Sequence, residues 1–149
     1  MLLRPATPED AMAVARVHVR SWQVAYRNLL PDAYLDQLRP EDRAARYDFA
    51  TLDPARPQTI VAVEGESILG FATTAPARDS DLTNYGELWA LYVDPPSWGQ
   101  GIGAALVMAA RARLSELGFQ AAALWMLAGN ARGDRFYRID GWTPAAQTR

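Results

Sequence analysis

Met12, Ala15, Val19, Trp22, Tyr26 and Leu29 recur at spacings of three and four, which predicts an amphipathic helix near the start of the chain. Before it lie a short apolar strand, residues 2–4, and the run Thr7-Pro8-Glu9-Asp10. That run carries a helix-start signature, with Thr7 as N-cap, Pro8 in the first helical position and an acid three residues after the cap. Pro31 breaks the pattern and opens a second helix over 31–38, and a third spans 41–49. Two strands, residues 59–63 and 68–73, follow on either side of Glu-Gly-Glu-Ser, a hairpin turn. Residues 87–93, Glu-Leu-Trp-Ala-Leu-Tyr-Val, are nearly continuously apolar and predict a buried strand. Ile102, Leu106, Ala110, Leu114 and Leu117 form one helical stripe ended by Gly118, residues 121–127 read as another strand, and Asn130 caps a helix running to Ile139.

The order of elements is mixed α+β, without repeats or long linkers, and 149 residues suit one domain over 1–149. A net charge of −2 supplies no basic field for a nucleic acid or an anionic membrane, so neither is expected as a partner. The chain has no cysteine, which excludes disulfides, thiolate metal sites and a covalent cysteine intermediate. It also has no lysine, so Schiff-base and P-loop lysine chemistry are excluded. The first ten residues, with two prolines and two acids, lack the apolar core of a signal peptide, and no apolar run approaches the ~20 residues of a membrane span. The expectation is a soluble, cytoplasmic protein.

Three glycines on alternate positions, Gly99, Gly101 and Gly103, stand at the mouth of the helix that follows the buried strand. The first N–H groups of a helix lack intrahelical partners and carry partial positive charge, and glycines let them approach an anion such as a pyrophosphate. A P-loop would need a lysine here. A dinucleotide fingerprint would need a third glycine where Leu106 stands, and would sit at the first strand. The plainer reading of the glycines alone is a tight turn that packs a helix on a sheet.

The surroundings add to this. Leu-Tyr-Val-Asp-Pro-Pro-Ser-Trp-Gly-Gln-Gly-Ile-Gly-Ala-Ala-Leu-Val, residues 91–107, resembles the acyl-CoA-binding motif of the GNAT superfamily of N-acyltransferases: apolar strand, Val-x-Pro, Gln/Arg-x-x-Gly-x-Gly/Ala, amphipathic helix. Residues 130–142 are similar to that family's Asn-x-x-Ala-x-x-x-Tyr-x-x-x-Gly-Phe segment, carried here by Asn130, Gly133, Tyr137, Gly141 and Trp142. Residues 3–22 resemble the usual first strand and helix, so the likeness covers nearly the whole chain.

The resemblance implies a mixed, mostly antiparallel twisted sheet flanked by helices, and acetyl-CoA as co-substrate. It implies that the backbone amides of Trp98, Gly99, Gln100, Gly101, Ile102, Gly103 and Ala104 cradle the pyrophosphate, and that the backbone around Leu91 and Val93 bonds the acetyl and pantetheine groups. Asn130 would contact the cofactor arm, and Tyr137 would be the general acid at the thioester sulfur. Glu87 stands where some similar enzymes keep a glutamate base; read from its own position, it is equally a strand-edge carboxylate in solvent. Acetyl transfer to an amine needs a neutral nucleophile, donors for the oxyanion and a proton for the thiolate, and needs no enzyme cysteine.

Tyr26 and Arg27 are candidates for the acceptor site, whereas Trp22 fits the core stripe. His18, the single histidine, reads as a structural or surface residue, and no metal site is expected. The position usually held by Gln or Arg is Trp98. Two further strands normally close the family's fold, yet seven residues follow Trp142. The last strand is therefore expected to be missing, with the 121–127 strand left open at one edge or covered by a second copy in a homodimer. Two readings compete with the enzyme: an acyl-CoA-binding sensor without turnover, and a structural domain with no cofactor affinity. The acceptor stays open among antibiotic amines, amino acids, polyamines and protein amines.

Overall fold

A computed structural model describes residues 1–144. Strand β1 (Leu2–Pro5) leads through a 3₁₀ turn at Pro8–Asp10 into helix α1 (Ala11–Ala25). The capping box forms as expected: the Thr7 N–H donates to an Asp10 carboxylate oxygen at 2.8 Å. Asp10 also takes both terminal nitrogens of Arg4, at 2.7 and 3.0 Å, which ties β1 to the helix start and holds the carboxyl at about 2.

Two short helices follow, α2 (Asp32–Asp36) and α3 (Pro40–Ala44), each shorter than the apolar pattern predicts. Strands β2 (Gln58–Glu64) and β3 (Ser67–Pro76) form the expected hairpin through Gly65, whose φ is 60°. Strand β4 (Tyr85–Val93), helix α4 (Ile102–Glu116), strand β5 (Ala121–Leu124) and helix α5 (Ala131–Ile139) complete the described part.

The sheet order is β1-β2-β3-β4-β5, antiparallel except for the parallel pair β4 and β5. Alternation along β2 and β3 sends Ala62 and Ala72 to one face, against Ile102, Leu106, Val107 and Ala110 of α4. Val61, Val63 and Phe71 go to the other face, against Val14 and Val17 of α1. The sheet thus holds a core on each side.

The strand expected over 121–127 ends at Leu124, because its partner β4 changes course there. Thr74 pairs with Leu88 and Thr73 with Ala90, leaving Trp89 as an extra residue, a β-bulge. The β4–β5 pairing stops at Leu88 opposite Leu124, and the two strands part. No strand follows α5 among the described residues, and the closing strand expected to be missing falls on residues outside them.

Candidate functional site

The parting of β4 from β5 opens a cleft of about 500 Å³, walled by β4 from Leu88 to Val93, by the glycine turn, and by residues of α1, β5 and α5. Asp94 donates its N–H to the Leu69 carbonyl at 2.8 Å, so alternation points the N–H and C=O of Leu91 and Val93 away from β3, into the opening. These backbone groups are the strand edge that β5 leaves uncovered.

After β4, Pro95–Ser97 makes a 3₁₀ turn, and the chain enters α4 through Gly99 (φ 79°) and Gly101 (φ 81°). A Cβ at either glycine would meet nothing within 4 Å, so these two serve backbone conformation and leave the space over the helix N-terminus clear. Gly103 serves another purpose. A Cβ there would lie 3.3 Å from the ring of Phe136, so this glycine admits α5 against the first turn of α4. Trp98, Gly99, Gly101, Ile102, Gly103 and Ala104 all line the cleft, while Gln100 is exposed and outside the lining.

Trp98 turns inward. Its indole N–H donates to the Val93 carbonyl at 2.7 Å, an oxygen that also accepts from Ser21 Oγ at 3.1 Å. The carbonyl of Val93 is therefore engaged within the chain, while its N–H still faces the opening. The Arg132 guanidinium stacks over the Trp98 ring, 3.7 Å from its centroid. Arg132 lines the cleft beside the glycine turn, and partial burial lowers its pKa from the ordinary arginine value. Sequence reasoning missed Arg132 although it lies inside the second motif, because nothing local distinguishes it from its exposed neighbours.

Asn130 caps α5: its Oδ1 accepts from the Gly133 N–H at 3.0 Å, which leaves its amide nitrogen for other partners. A Cβ on Gly133 would come within 2.5 Å of that nitrogen, so glycine in place of the motif's alanine gives the Asn130 side chain its room. Tyr137, one turn further on, lines the cleft, packed edge-on against Phe136 and Trp142. Burial raises its hydroxyl pKa well above the usual tyrosine value, with nearby Tyr26 and Asp140 adding to the shift. Tyr92 is raised in the same way, chiefly by burial and then by Tyr26. Both phenols stay protonated at neutral pH.

Tyr26, at the C-terminus of α1, is buried and reaches the cleft wall. Arg27 does not line it: its guanidinium bonds Asp32 at 3.3 Å and Asp36 at 2.8 Å, tethering α2 to the end of α1. Glu87 is neither a solvent carboxylate nor part of the lining. It is fully buried, and its two oxygens accept from the Arg78 N–H and from the Arg78 guanidinium, which also lies over the Trp89 ring at 4.2 Å. His18 is buried and stacked on Trp22 and Phe71, away from the lining. Burial, with Arg43 and Arg46 nearby, lowers its pKa to about 3. No group of side chains suited to a metal ion occurs among the described residues. No helix among them is long and apolar enough to cross a membrane.

The uncharacterized N-acetyltransferase YuaI of Bacillus subtilis (strain 168) is 30% identical to this chain over 128 residues, covering 86% of the chain and 72% of YuaI. A mycothiol acetyltransferase of Pseudarthrobacter chlorophenolicus is 35% identical over 104 residues, and the match spans 68% of this chain and 32% of that protein. In fold, the chain superposes on the PaiA N-acetyltransferase of Thermoplasma acidophilum, solved in complex with coenzyme A, with a TM-score of 0.80 over 99% of this chain and 92% of that one, at 21% identity. The model of the Acetyltransferase (GNAT) family matches residues 20–142, both motifs included, and the chain belongs to that family.

Proposed function

We propose that this chain is an acetyl-CoA-dependent N-acetyltransferase that moves the acetyl group directly to a primary amine. The observation that carries the reading is a single continuous feature. An uncovered strand edge, Leu91 to Val93, runs into a helix N-terminus whose entry glycines leave open space, with Tyr137 on the facing wall. A long thioester with a pyrophosphate at one end matches that feature: amide groups for the edge, an anion for the helix end. The complex of the Thermoplasma relative with coenzyme A supports it.

In this reading the amides from Gly99 to Ala104 hold the pyrophosphate, the Trp98 N–H being donated to the Pro95 carbonyl at 3.2 Å, with Arg132 adding a positive charge beside them. The N–H groups of Leu91 and Val93 face the acyl carbonyl and the amide arm, and the free amide nitrogen of Asn130 contacts the arm. The amine nitrogen attacks the acetyl carbon, the C–S bond breaks, and Tyr137, kept protonated by burial, gives its proton to the leaving thiolate. The proton lost by the amine passes to water, and Tyr137 is reprotonated from water. Glu87 acts as a positioning residue, fixing Arg78 and through it Trp89, rather than as the base.

The test uses the absence of cysteine: a thiol reagent reads released CoA with no protein background. Wild-type protein with acetyl-CoA and an amine panel is expected to release CoA in an amine-dependent way, and Tyr137→Phe is expected to lower kcat by ~10²–10⁴ while acetyl-CoA still binds. Saturable acetyl-CoA binding without turnover of any amine would favour the sensor instead.

A further inference from the structure

We infer that the acceptor is an uncharged aromatic amine, an arylamine or arylhydrazine, and not a polyamine or other multiply charged amine. The inference rests on the acetyltransferase reading above and narrows it. Six of the residues that line the cleft, Tyr26, Trp89, Tyr92, Trp125, Met126 and Tyr137, carry large aromatic or thioether side chains. Flat, apolar surface of this kind favours a ring by burial and by offset or edge-on stacking.

Charge argues the same way. Among the described residues, no aspartate, glutamate or histidine lines the cleft, and Arg132 is the one charged side chain that does. The nearest candidate, Glu87, is buried and bound by Arg78. A cationic acceptor entering this space would lose hydration with no carboxylate to replace it. Aromatic faces can stabilise a cation, but one face of Trp98 and one of Trp89 already carry the guanidiniums of Arg132 and Arg78.

Among the described residues the lining also contains no carboxylate or imidazole base. Tyr26, Tyr92, Tyr137 and Arg132 are its titratable groups, with Asp140 behind Tyr137 and His18 behind Tyr92, and burial holds Tyr92 and Tyr137 protonated. The nucleophile must therefore arrive as the free amine. An alkylamine with a lysine-like pKa near ~10.4 is free only to about 1 part in 10³ at pH 7. An arylamine is free throughout.

The experiment measures CoA release at saturating acetyl-CoA with 4-methylaniline, phenylhydrazine, benzylamine and spermidine, from pH 6 to 9. Acetyl-CoA binding is measured separately by calorimetry. The expected result is a kcat/KM for the aromatic amines at pH 7 at least ~100-fold above that for spermidine, flat with pH, while benzylamine turnover rises about tenfold per pH unit. Met126→Glu, which adds a carboxylate at the half-exposed rim, is expected to raise the spermidine-to-methylaniline ratio about tenfold. Spermidine turned over as well as the aromatic amines, or no aromatic amine turned over by protein that binds acetyl-CoA, overturns this inference alone. An unchanged ratio in Met126→Glu does the same. Absence of acetyl-CoA binding overturns the transferase reading beneath it.

Discussion

The Trp98 indole donates to the Val93 carbonyl across 2.7 Å, joining the glycine turn to the uncovered end of β4. This bond places an aromatic ring where the family's motif carries Gln or Arg, and Arg132 stacks on that ring from α5. Trp98→Phe keeps a ring for Arg132 and removes the donor, leaving Ser21 on the same carbonyl. The expected cost is ~1 kcal/mol, a rise of about fivefold in the Kd for acetyl-CoA. Arg132→Gln removes a charge beside the pyrophosphate position and is expected to raise Kd at least about tenfold and to flatten its salt dependence. Calorimetric titrations at two salt concentrations check both; an unchanged Kd in Arg132→Gln would place the pyrophosphate elsewhere.

Glu87 and Arg78 form an ion pair with one buried and one half-exposed partner, the side chains being 1% and 47% exposed. Glu87→Gln keeps an acceptor but leaves the Arg78 guanidinium without its counter-charge. The predicted loss of stability is about 1–3 kcal/mol, below that of a fully buried pair because water reaches Arg78. Turnover should fall less than about tenfold with an unchanged pH profile. A fall of ~10²–10⁴ together with loss of one limb of the profile would instead identify Glu87 as the general base.

His18 links stability to pH. Burial holds its imidazole neutral, with a pKa of about 3 against an ordinary 6.5. Between those values the unfolded chain takes up a proton that the folded chain does not, so stability falls as pH drops below 6.5, by up to ~1.4 kcal/mol per pH unit. His18→Phe preserves the stacking on Trp22 and Phe71 and removes this term. Urea melts of the two proteins at pH 7 and pH 5 should differ in their pH response by about 2 kcal/mol, with wild type the more acid-sensitive. Parallel responses would contradict the assignment.

Helices α1 and α4 and the hairpin β2–β3 were legible in the sequence because each keeps one hydrophobic period over its length and has its own start or turn signal. The end of β5 was not, since Leu124 is where its partner strand bulges at Trp89, a property of the pairing and not of residues 121–127. The glycine turn was recognisable, but its glycines do two different jobs: Gly99 and Gly101 need positive φ, whereas Gly103 needs space for Phe136, which lies 33 positions later in the numbering. Arg27 follows Tyr26 in sequence, yet two carboxylates of α2 hold it outside the lining. Tertiary partners decide such cases, and one-dimensional patterns do not contain them.

In the proposed enzyme the glycine turn and the uncovered edge of β4 hold acetyl-CoA. The most direct measurement is a calorimetric titration of wild-type protein and Gly101→Glu with acetyl-CoA, with thermal melts of both as a control on folding. Gly101 has φ 81° and open space around it, so the variant adds local strain and a negative charge at the helix mouth without touching either core. Saturable binding by wild type, weakened at least about tenfold in a folded Gly101→Glu, is the predicted result. Folded wild-type protein that does not bind acetyl-CoA, or a variant that binds it equally well, would mean that the glycine turn is not the cofactor site.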